Sequence, residues 1–205
     1  MNTMEHYFSS RPASPAKGMR FPSIIAGIRC NFQSAGGVFS KDGLDPGAYL
    51  LVQSCLEQDL AERRVLDLGC GIGVVGIFIA RKFASARVFF SDVNQRALAL
   101  AKRNINENRI EGTVLVSDGF AHHDLQDARF DLIAFNPPQH AGKDLCNRLI
   151  ADAIAHLAPR GKLLLVARHN KGGSSFCAVM EEAAGNASSV AKKGMFRVYA
   201  SVKNA

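Results

Sequence analysis

Short apolar runs alternate with amphipathic segments through most of the chain. The apolar runs predict strands at residues 65–68, 87–91, 113–117, 132–135 and 162–167. Between the second and third runs, Ala97, Leu98, Ala101 and Ile105 recur at helical spacing. Apolar strands that alternate with helices are typical of a mostly parallel sheet covered on both faces. The pattern therefore predicts an α/β fold.

Further elements are predicted on both sides of this alternating region. Before it, Ile28, Cys30 and Phe32 alternate with polar residues and predict a strand that pairs with residues 24–25. Asp45 in front of Pro46 predicts a helix through about Glu57. The remaining predictions are helices at 74–83, 94–106, 144–157 and 175–184, a turn at 159–161 and strands at 188–192 and 196–202. We expect an arm and a β-hairpin over residues 1–36, and the main domain over residues 37–205.

The composition is ordinary for a globular protein. The chain has 205 residues, of which 47% are apolar and 21% are charged, and this length favours one domain. No apolar run approaches the roughly 20 residues that span a bilayer. The N-terminus also lacks the apolar core of a secretory signal. We therefore expect a cytoplasmic protein without a membrane partner.

The net charge of +7 is concentrated at the two ends of the chain. Residues 145–205 carry 9 Lys and Arg against 3 Asp and Glu, and residues 11–41 carry 5 basic side chains and no acid. Two basic ends suit a polyanionic partner such as RNA. A basic surface that only keeps the protein in solution is the alternative.

Neither the cysteines nor the histidines predict a metal site. The five cysteines are scattered, with no two of them two residues apart, which favours neither zinc nor a disulfide framework. His122 and His123 stand beside Asp124, but we expect adjacent histidines to point in different directions.

The residues after each predicted strand hold the candidate chemistry, because ligands of parallel sheets bind beyond the carboxyl ends of the strands. After the strand 65–68, the glycines Gly69, Gly71 and Gly73 allow a tight turn in which the backbone approaches a ligand. The following helix offers unpaired N–H groups. The spacing of Gly71, Gly73 and Gly76 also matches the dinucleotide fingerprint, so the loop alone does not identify the ligand.

Carboxylates follow the next two strands. Asp92 can accept hydrogen bonds from both hydroxyls of a ribose. The alternative is that it caps the next helix, and the two roles are compatible. Asp118 can accept from an exocyclic amino group while a neighbouring backbone N–H contacts a ring nitrogen. Its alternative role is an Asp-Gly turn with Gly119.

Asn136, Pro137 and Pro138 follow the fourth strand and complete a recognizable set of motifs. These are GVFSKDGLDPG (37–47), VLDLGCGIGVVGI (65–77), FSDVNQRAL (90–98), SDGF (117–120), NPPQHAGK (136–143) and GMFRVYAS (194–201). With them, the sequence resembles the class I S-adenosylmethionine-dependent methyltransferases. Within these it is similar to the MTS group, which is related to the small-subunit ribosomal RNA guanine-N2 methyltransferases. EHYFSSRP (5–12) is similar to the single-domain members of that group.

The resemblance implies a fold, a cofactor and a partner. The implied fold is a Rossmann-like, seven-stranded, mostly parallel sheet with helices on both faces and an antiparallel last strand, after a short β-rich N-terminal extension. Residues 37–205 would form the methyltransferase domain, and RNA, most of all small-subunit ribosomal RNA, would be the partner. The implied S-adenosyl-L-methionine site comprises Asp67, Gly69, Cys70, Gly71, Gly73, Asp92, Val93, Asp118, Gly119 and Asn136. Among these, Asp67 and the glycines would wrap the methionine part, Asp92 would hold the ribose, and Asp118 with Gly119 would hold the adenine.

The Asn-Pro-Pro turn suits methyl transfer to an exocyclic amine. Such an amine is a poor nucleophile with two N–H donors, which the Asn136 side-chain oxygen and the Pro137 carbonyl can accept. A proline holds its carbonyl rigidly and brings no competing donor, so Pro137 and Pro138 join Asn136 as the expected catalytic set. NAD-dependent enzymes have no need for an Asn-Pro-Pro turn after the fourth strand, so the turn disfavours NAD as the ligand of the glycine loop.

Gln139 is a departure, because many amino-group methyltransferases place Tyr or Phe there to stack on the target base. Phe39, Tyr7 and Phe8 are candidates for this stacking, and His140 is a candidate substrate contact. The expected reaction is methylation of guanine N2 in ribosomal RNA. Protein glutamine (N5) methylation also uses an Asn-Pro-Pro turn, usually with Tyr after the prolines. A non-catalytic RNA-binding or assembly module on the same fold is a third possibility.

Overall fold

The computed structural model describes residues 18–35, 44–138 and 141–204. The strands are β1 Met19–Ile25, β2 Ile28–Ser34, β3 Arg64–Leu68, β4 Arg87–Asp92, β5 Thr113–Val116, β6 Phe130–Phe135, β7 Leu157–Arg168, β8 Ser188–Lys193 and β9 Phe196–Val202. The helices are α1 Pro46–Leu56, α2 Val74–Lys82, α3 Gln95–Glu107, α4 His123–Gln126, α5 Lys143–Ala155 and α6 Gly173–Ala184, and His169–Lys171 forms a 3-10 turn.

Strands β3 to β9 form one sheet of seven strands in the order β5-β4-β3-β6-β7-β9-β8. The pairs among β3, β4, β5, β6 and β7 are parallel, whereas β9 runs antiparallel to both of its neighbours, β7 and β8. This arrangement confirms the predicted Rossmann-like sheet with an antiparallel last strand.

Helices cover both faces of the sheet. Successive residues of a strand point to opposite faces, so neighbouring residues pack against different helices. Leu132 packs in the core beneath α1, α2 and α3, while its neighbour Ile133 packs in the core beneath α5 and α6. Both side chains are fully buried. Burying a side chain of this size contributes about 1.5–3 kcal/mol, so the two cores are the main source of stability.

The hairpin of β1 and β2 lies outside the main sheet and packs on α2 and α3. Its turn is formed by Ala26 and Gly27, which both have positive φ (49° and 77°), as a two-residue hairpin turn of type I′ requires. Phe32 anchors the hairpin on α2, with its ring centroid 5.8 Å from that of Phe78. The division between the hairpin and the main domain at residue 36 falls outside the described residues and stays a proposal.

The segment 157–161 differs from the prediction. Leu157 was expected to end a helix and 159–161 to form a turn, but both expectations are wrong because this segment is the beginning of β7. Leu157 pairs with Phe130, and Arg160 donates its backbone N–H to the carbonyl of Lys203 (3.0 Å). The turn-forming residues instead produce an irregularity in the strand, at which Arg160 has a φ of 63°.

The helices α1, α2, α3 and α6 begin and end within a few residues of their predicted limits. Asp45 is the N-cap of α1, and its carboxylate accepts from the Ala48 N–H at 2.9 Å, as predicted. The short α4 was not predicted. Among the helices that the structure describes, none combines the length and the apolar character needed to cross a bilayer.

Candidate functional site

The predicted site residues gather at one edge of the sheet because β3, β4 and β6 end in register. Leu68 pairs with Ser91 on one side and with Phe135 on the other. The glycine loop that follows Leu68 therefore lies between Asp92 and the Asn-Pro-Pro turn. Asp92 also pairs with Val116, so the segment 117–119 begins at the same edge.

The glycine loop needs its glycines for backbone reasons. Gly69, Gly71 and Gly73 all have positive φ (63°, 56° and 85°), a conformation that other residues adopt only with strain. The N–H of Cys70 donates to the carbonyl of Ser91 at 2.9 Å and fixes the loop beside β4. Gly73 is the N-cap of α2, so the loop delivers the unpaired N–H groups of that helix to the site.

Asp67 ties the strand before the loop to the helix after it. Its Oδ2 atom accepts from the N–H of Gly76 at 2.9 Å, and the side chain is 3% exposed. Burial raises the pKa of Asp67 to about 7, although the Gly76 N–H acts in the opposite direction and Asp92 raises it further. A carboxyl group that titrates near neutrality therefore lies beneath the loop.

Gly76 is required for close packing of α2 on the sheet. A Cβ atom at this position would lie 2.3 Å from Cε1 of Phe90 in β4. The last glycine of the apparent dinucleotide fingerprint thus has a helix-to-strand packing role. Gly76 therefore does not by itself indicate a dinucleotide.

Asp92 holds the loop and the start of α3 together. Its Oδ2 accepts from the Gly71 N–H and its Oδ1 from the Asn94 N–H, both at 2.8 Å. Burial raises the pKa of Asp92, and the backbone N–H groups of Asn94, Gly71 and Val93 oppose this rise. Each carboxylate oxygen has a second lone pair, so hydroxyl donors of a ligand can still be accepted. The alternative that Asp92 caps α3 is wrong, because the N-cap is Asn94.

Ser117, which sequence reasoning missed, builds the turn that presents Asp118. The Ser117 hydroxyl donates to the carbonyl of Gly119 (2.8 Å) and accepts from the N–H of His122 (3.0 Å). Gly119 has a φ of 59°, and a Cβ atom there would lie 2.7 Å from Cδ2 of Leu149. The Asp118 carboxylate is 67% exposed and lies 3.9 Å from Nη2 of Arg148. Because Ser117 holds the turn, this carboxylate remains accessible to a ligand.

The Asn-Pro-Pro turn is anchored to the sheet and to α5. Phe135 is fully buried and Pro137 is buried, whereas Asn136 is only half-buried. The carbonyl of Pro138 accepts from the Ala141 N–H at 2.8 Å and from the Cys146 thiol at 3.6 Å. The turn is thus held through Pro138, while Asn136 has access to solvent. Gln139, His140, Phe39, Tyr7 and Phe8 lie outside the described residues.

Two asparagines, also missed from the sequence, fix the hairpin to the end of α3, and one of them reaches the glycine loop: Asn104 lies within α3 and Asn108 is its C-cap. Asn104 donates to the carbonyls of Ile72 (2.9 Å) and Gln33 (3.1 Å), and it accepts from the N–H of Gln33 (2.7 Å). One turn later, Asn108 makes the same pair of hydrogen bonds with Asn31, at 2.7 and 2.9 Å. A sequence signal existed for Asn104, which falls on the otherwise apolar face of the predicted helix 94–106.

Four of the five cysteines are thiols packed in the interior, and Cys177 is half-buried. Cys30, Cys55, Cys70 and Cys146 are buried, and all five cysteines are free. Burial raises the pKa of Cys30 and of Cys146 to about 11. Burial, with Asp67 and Asp92 nearby, also raises the pKa of Cys70 in the glycine loop. Such thiols are poor nucleophiles at neutral pH.

The expectation that His122 and His123 point in different directions is wrong. Their rings stack with centroids 4.3 Å apart, and both face Asp124. The reason is local, because His122 is the extended N-cap of α4 and His123 is its first helical residue. This change of backbone conformation turns both side chains to one side.

Comparison with known proteins gives one family. The model of the methyltransferase small domain family matches residues 29–200. The chain is 35% identical over 173 residues to ribosomal RNA small subunit methyltransferase C of Actinobacillus pleuropneumoniae, in a match covering 82% of this chain and 51% of the relative. It is 33% identical over 190 residues to YbxB, an uncharacterized protein of Bacillus subtilis, in a match covering 92% of this chain and 94% of the relative.

A solved structure shares both the fold and some sequence. The T. thermophilus 16S rRNA N2 methyltransferase RsmC, in complex with AdoMet and guanosine, superposes with a TM-score of 0.80 at 27% identity. The superposition covers 95% of this chain and 52% of RsmC. The chain thus spans about half the length of RsmC and of the Actinobacillus relative, and nearly all of YbxB.

Proposed function

Since the chain belongs to the methyltransferase small domain family, we propose that it transfers a methyl group from S-adenosyl-L-methionine to the N2 amino group of guanine in small-subunit ribosomal RNA. The observation that carries this proposal is the position of the Asn-Pro-Pro turn. Asn136 follows the strand residue that pairs with Leu68, so it lies directly beside the glycine loop. A methyl donor in the loop and an amine at Asn136 would therefore be neighbours.

The described residues fit the cofactor. A loop of positive-φ glycines and the N-terminus of α2 suit the carboxylate of its methionine part. Asp92 would accept from the ribose hydroxyls, next to Val93, and the exposed Asp118 with Gly119 would hold the adenine. S-adenosyl-L-methionine supplies an activated methyl group on a cationic sulfonium.

The chain's part in the chemistry is to orient the amine. The Asn136 side-chain oxygen and the Pro137 carbonyl each accept one N–H, which directs the nitrogen lone pair towards the methyl group. Pro138 does not share this role directly, because its carbonyl is engaged by Ala141 and Cys146. An amide cannot act as a strong base at neutral pH. The surplus proton therefore leaves after transfer, from an amine that has become cationic.

The relatives support guanine and ribosomal RNA as the substrate. RsmC of T. thermophilus is named for N2 methylation of 16S rRNA and was solved with guanosine, and the Actinobacillus relative is named for the small subunit. The basic composition of residues 145–205 agrees with a nucleic-acid partner. The acids of the cofactor site are all present, which favours turnover over a module that only binds RNA.

An assay with S-adenosyl-L-methionine labelled in its methyl group tests the proposal. The substrates would be isolated small subunits, deproteinized small-subunit RNA and total protein, all from cells that lack this protein. We expect label in RNA, recovered as N2-methylguanosine after nuclease digestion. Label in glutamine of a protein fraction would replace the proposal by protein methylation. Cofactor binding without label in any fraction would indicate a non-catalytic module.

A further inference from the structure

The motif GMFRVY, which the site does not use, forms a basic rim beside the Asn-Pro-Pro turn. We define the rim as Arg168 at the end of β7, Lys192 and Lys193 at the end of β8, and Met195 and Arg197 at the start of β9. Because β9 is antiparallel to β7 and β8, its first residues meet the last residues of both neighbours. All three strands therefore bring cations to one edge of the sheet.

This edge is the one that carries the candidate active site. Strand β7 is the neighbour of β6, and Phe135 pairs with Leu165. Arg168 lies three residues beyond Leu165, as Pro138 lies three residues beyond Phe135. The rim continues across β9 to β8, which is three interstrand spacings, or about 14 Å, from β6. A nucleotide held at Asn136 would have its flanking phosphates within this reach.

Two cations of the rim are held in place by aromatic rings. The guanidinium of Arg168 lies 5.3 Å from the ring centroid of Phe196, and the ammonium of Lys193 lies 4.0 Å from that of Tyr49. Phe196 in turn packs on α1, where a Cβ atom on Gly47 would lie 2.9 Å from its ring. Such cation–π contacts reduce the conformational freedom that a long side chain would lose on binding.

The other rim residues complete a surface suited to a nucleic acid. Lys192 and Arg197 are cross-strand partners, so they project from the opposite face to Lys193 and Phe196. Met195 is 61% exposed at the tip of the two-residue turn after Lys193, where Gly194 has a φ of 57°. An apolar side chain among cations can pack against a base or ribose while the cations bind phosphates.

Acidic groups are sparse near the rim among the residues that the structure describes. Glu181 and Glu182 belong to the last turn of α6, which begins beside the rim and runs away from it. Asp45 is beside Phe196, but its carboxylate is used to cap α1. The local charge is therefore positive, which attracts a polyanion.

We propose that this rim binds the RNA backbone on either side of the target nucleotide, with Met195 packing against an adjacent base or ribose. The identity of the ligand as RNA rests on the proposed function. The placement of the surface rests on the strand ends and cation–π contacts alone.

A charge-removal experiment on the full chain tests the rim. The variant K192Q/K193Q removes two rim charges, and R87Q/R109Q is the matched control. Arg87 begins β4 and Arg109 follows the end of α3, so both lie at the opposite edge of the sheet. Affinity for small-subunit RNA is measured over a range of salt concentrations, together with KM for RNA, kcat, cofactor affinity and the thermal midpoint.

We expect K192Q/K193Q to raise KM for RNA at least tenfold. The slope of log affinity against log salt concentration should become shallower by the amount that corresponds to about two phosphate contacts. Its kcat at saturating RNA and its cofactor affinity should equal those of R87Q/R109Q. M195S, at an exposed position, should weaken RNA binding several-fold without changing the salt dependence. Equal RNA affinities and salt dependences for rim and control variants would overturn the inference.

The outcomes separate this inference from the proposed function. If the unaltered chain methylates RNA but the rim variants match the control, only the rim assignment fails. If the unaltered chain methylates no RNA, the proposed function fails first. Loss of affinity for an acidic protein, with RNA affinity unchanged, would overturn the assignment of RNA to the rim.

Discussion

Asn104 in α3 donates its side-chain N–H to the carbonyl of Ile72, the last residue but one of the glycine loop, at 2.9 Å. The same side chain exchanges two hydrogen bonds with the backbone of Gln33 in β2. One buried carboxamide therefore joins the N-terminal hairpin to the proposed cofactor loop. A displacement of the hairpin would therefore act on the loop through this group, in addition to the packing of the hairpin on α2.

Replacement of Asn104 by Ala should destabilize the fold and weaken cofactor binding together. It leaves the backbone groups of Ile72 and Gln33 without partners, which we expect to lower the free energy of unfolding by roughly 3 kcal/mol. Denaturant titration and calorimetric titration with S-adenosyl-L-methionine measure the two effects. N106A, at an exposed position of the same helix, is the control and should change stability by less than about 0.5 kcal/mol. Unchanged cofactor affinity in N104A would contradict the connection.

Replacement of Asn136 by Ala should remove catalysis while leaving cofactor binding within a few-fold of the unaltered chain. The amine would lose one of its two acceptors, and losing one group of this kind costs on the order of 10²–10³-fold in rate. Methyl transfer to small-subunit RNA at saturating substrate measures the effect, with N106A again as control. Turnover at the unaltered rate would eliminate Asn136 as the acceptor.

Asp67 should make stability depend on pH between about 4 and 7. Its pKa is about 7 in the folded chain against an ordinary 3.8, because burial penalizes the charged form. Within this range the folded chain holds a proton that the unfolded chain has released, so the free energy of unfolding falls as pH rises. D67N removes this contribution, whereas the raised pKa of Asp92 leaves a residual dependence. Urea unfolding at pH 5 and pH 7.5 measures this change in the free energy of unfolding for D67N and for the unaltered chain. An equal change in both proteins would show that Asp67 is not its source.

The packing of Gly76 on Phe90 should appear as non-additivity in a double-mutant cycle. A methyl group at position 76 would lie 2.3 Å from Cε1 of Phe90, so G76A forces α2 or the ring to move, at a cost of about 3 kcal/mol. In F90L the smaller side chain makes room for the methyl group. The double variant should therefore lose less stability than the sum of the single variants, by at least about 1 kcal/mol in denaturant unfolding. Strict additivity would show that the two residues do not constrain one another.

The sequence predicts the fold well where local patterns and tertiary packing agree. Apolar strands such as 132–135 are buried on both faces, so their composition alone identifies them. Asp45 caps α1 through a contact three residues away, which a local motif captures. The gathering of the site residues at one edge also follows from the sequence. Alternating strands and helices predict a parallel sheet, and the carboxyl ends of parallel strands meet at the same edge.

The prediction fails where a distant partner decides the local structure. Turn-forming residues at 159–161 are held in β7 by hydrogen bonds with Lys203, more than 40 residues away. Asn104 binds Gln33 across 71 residues of chain, so nothing near it reveals its partner. Ser117 is a different case, because its contacts are local, but they depend on the compact turn that Gly119 allows.

The position of β9 between β7 and β8 also constrains when the sheet can be completed during synthesis of the chain. Strand β8 is synthesized before β9, yet it is connected to the sheet only through β9. A nascent chain that has emerged up to residue 193 therefore has an unpaired β8 and an open edge on β7, both of which are prone to wrong pairings. Phe196 pairs with both Arg168 and Lys193, so the surface proposed to bind RNA cannot form before β9 inserts between β7 and β8. A nascent chain therefore lacks the proposed rim until residues 196–202 have left the ribosome.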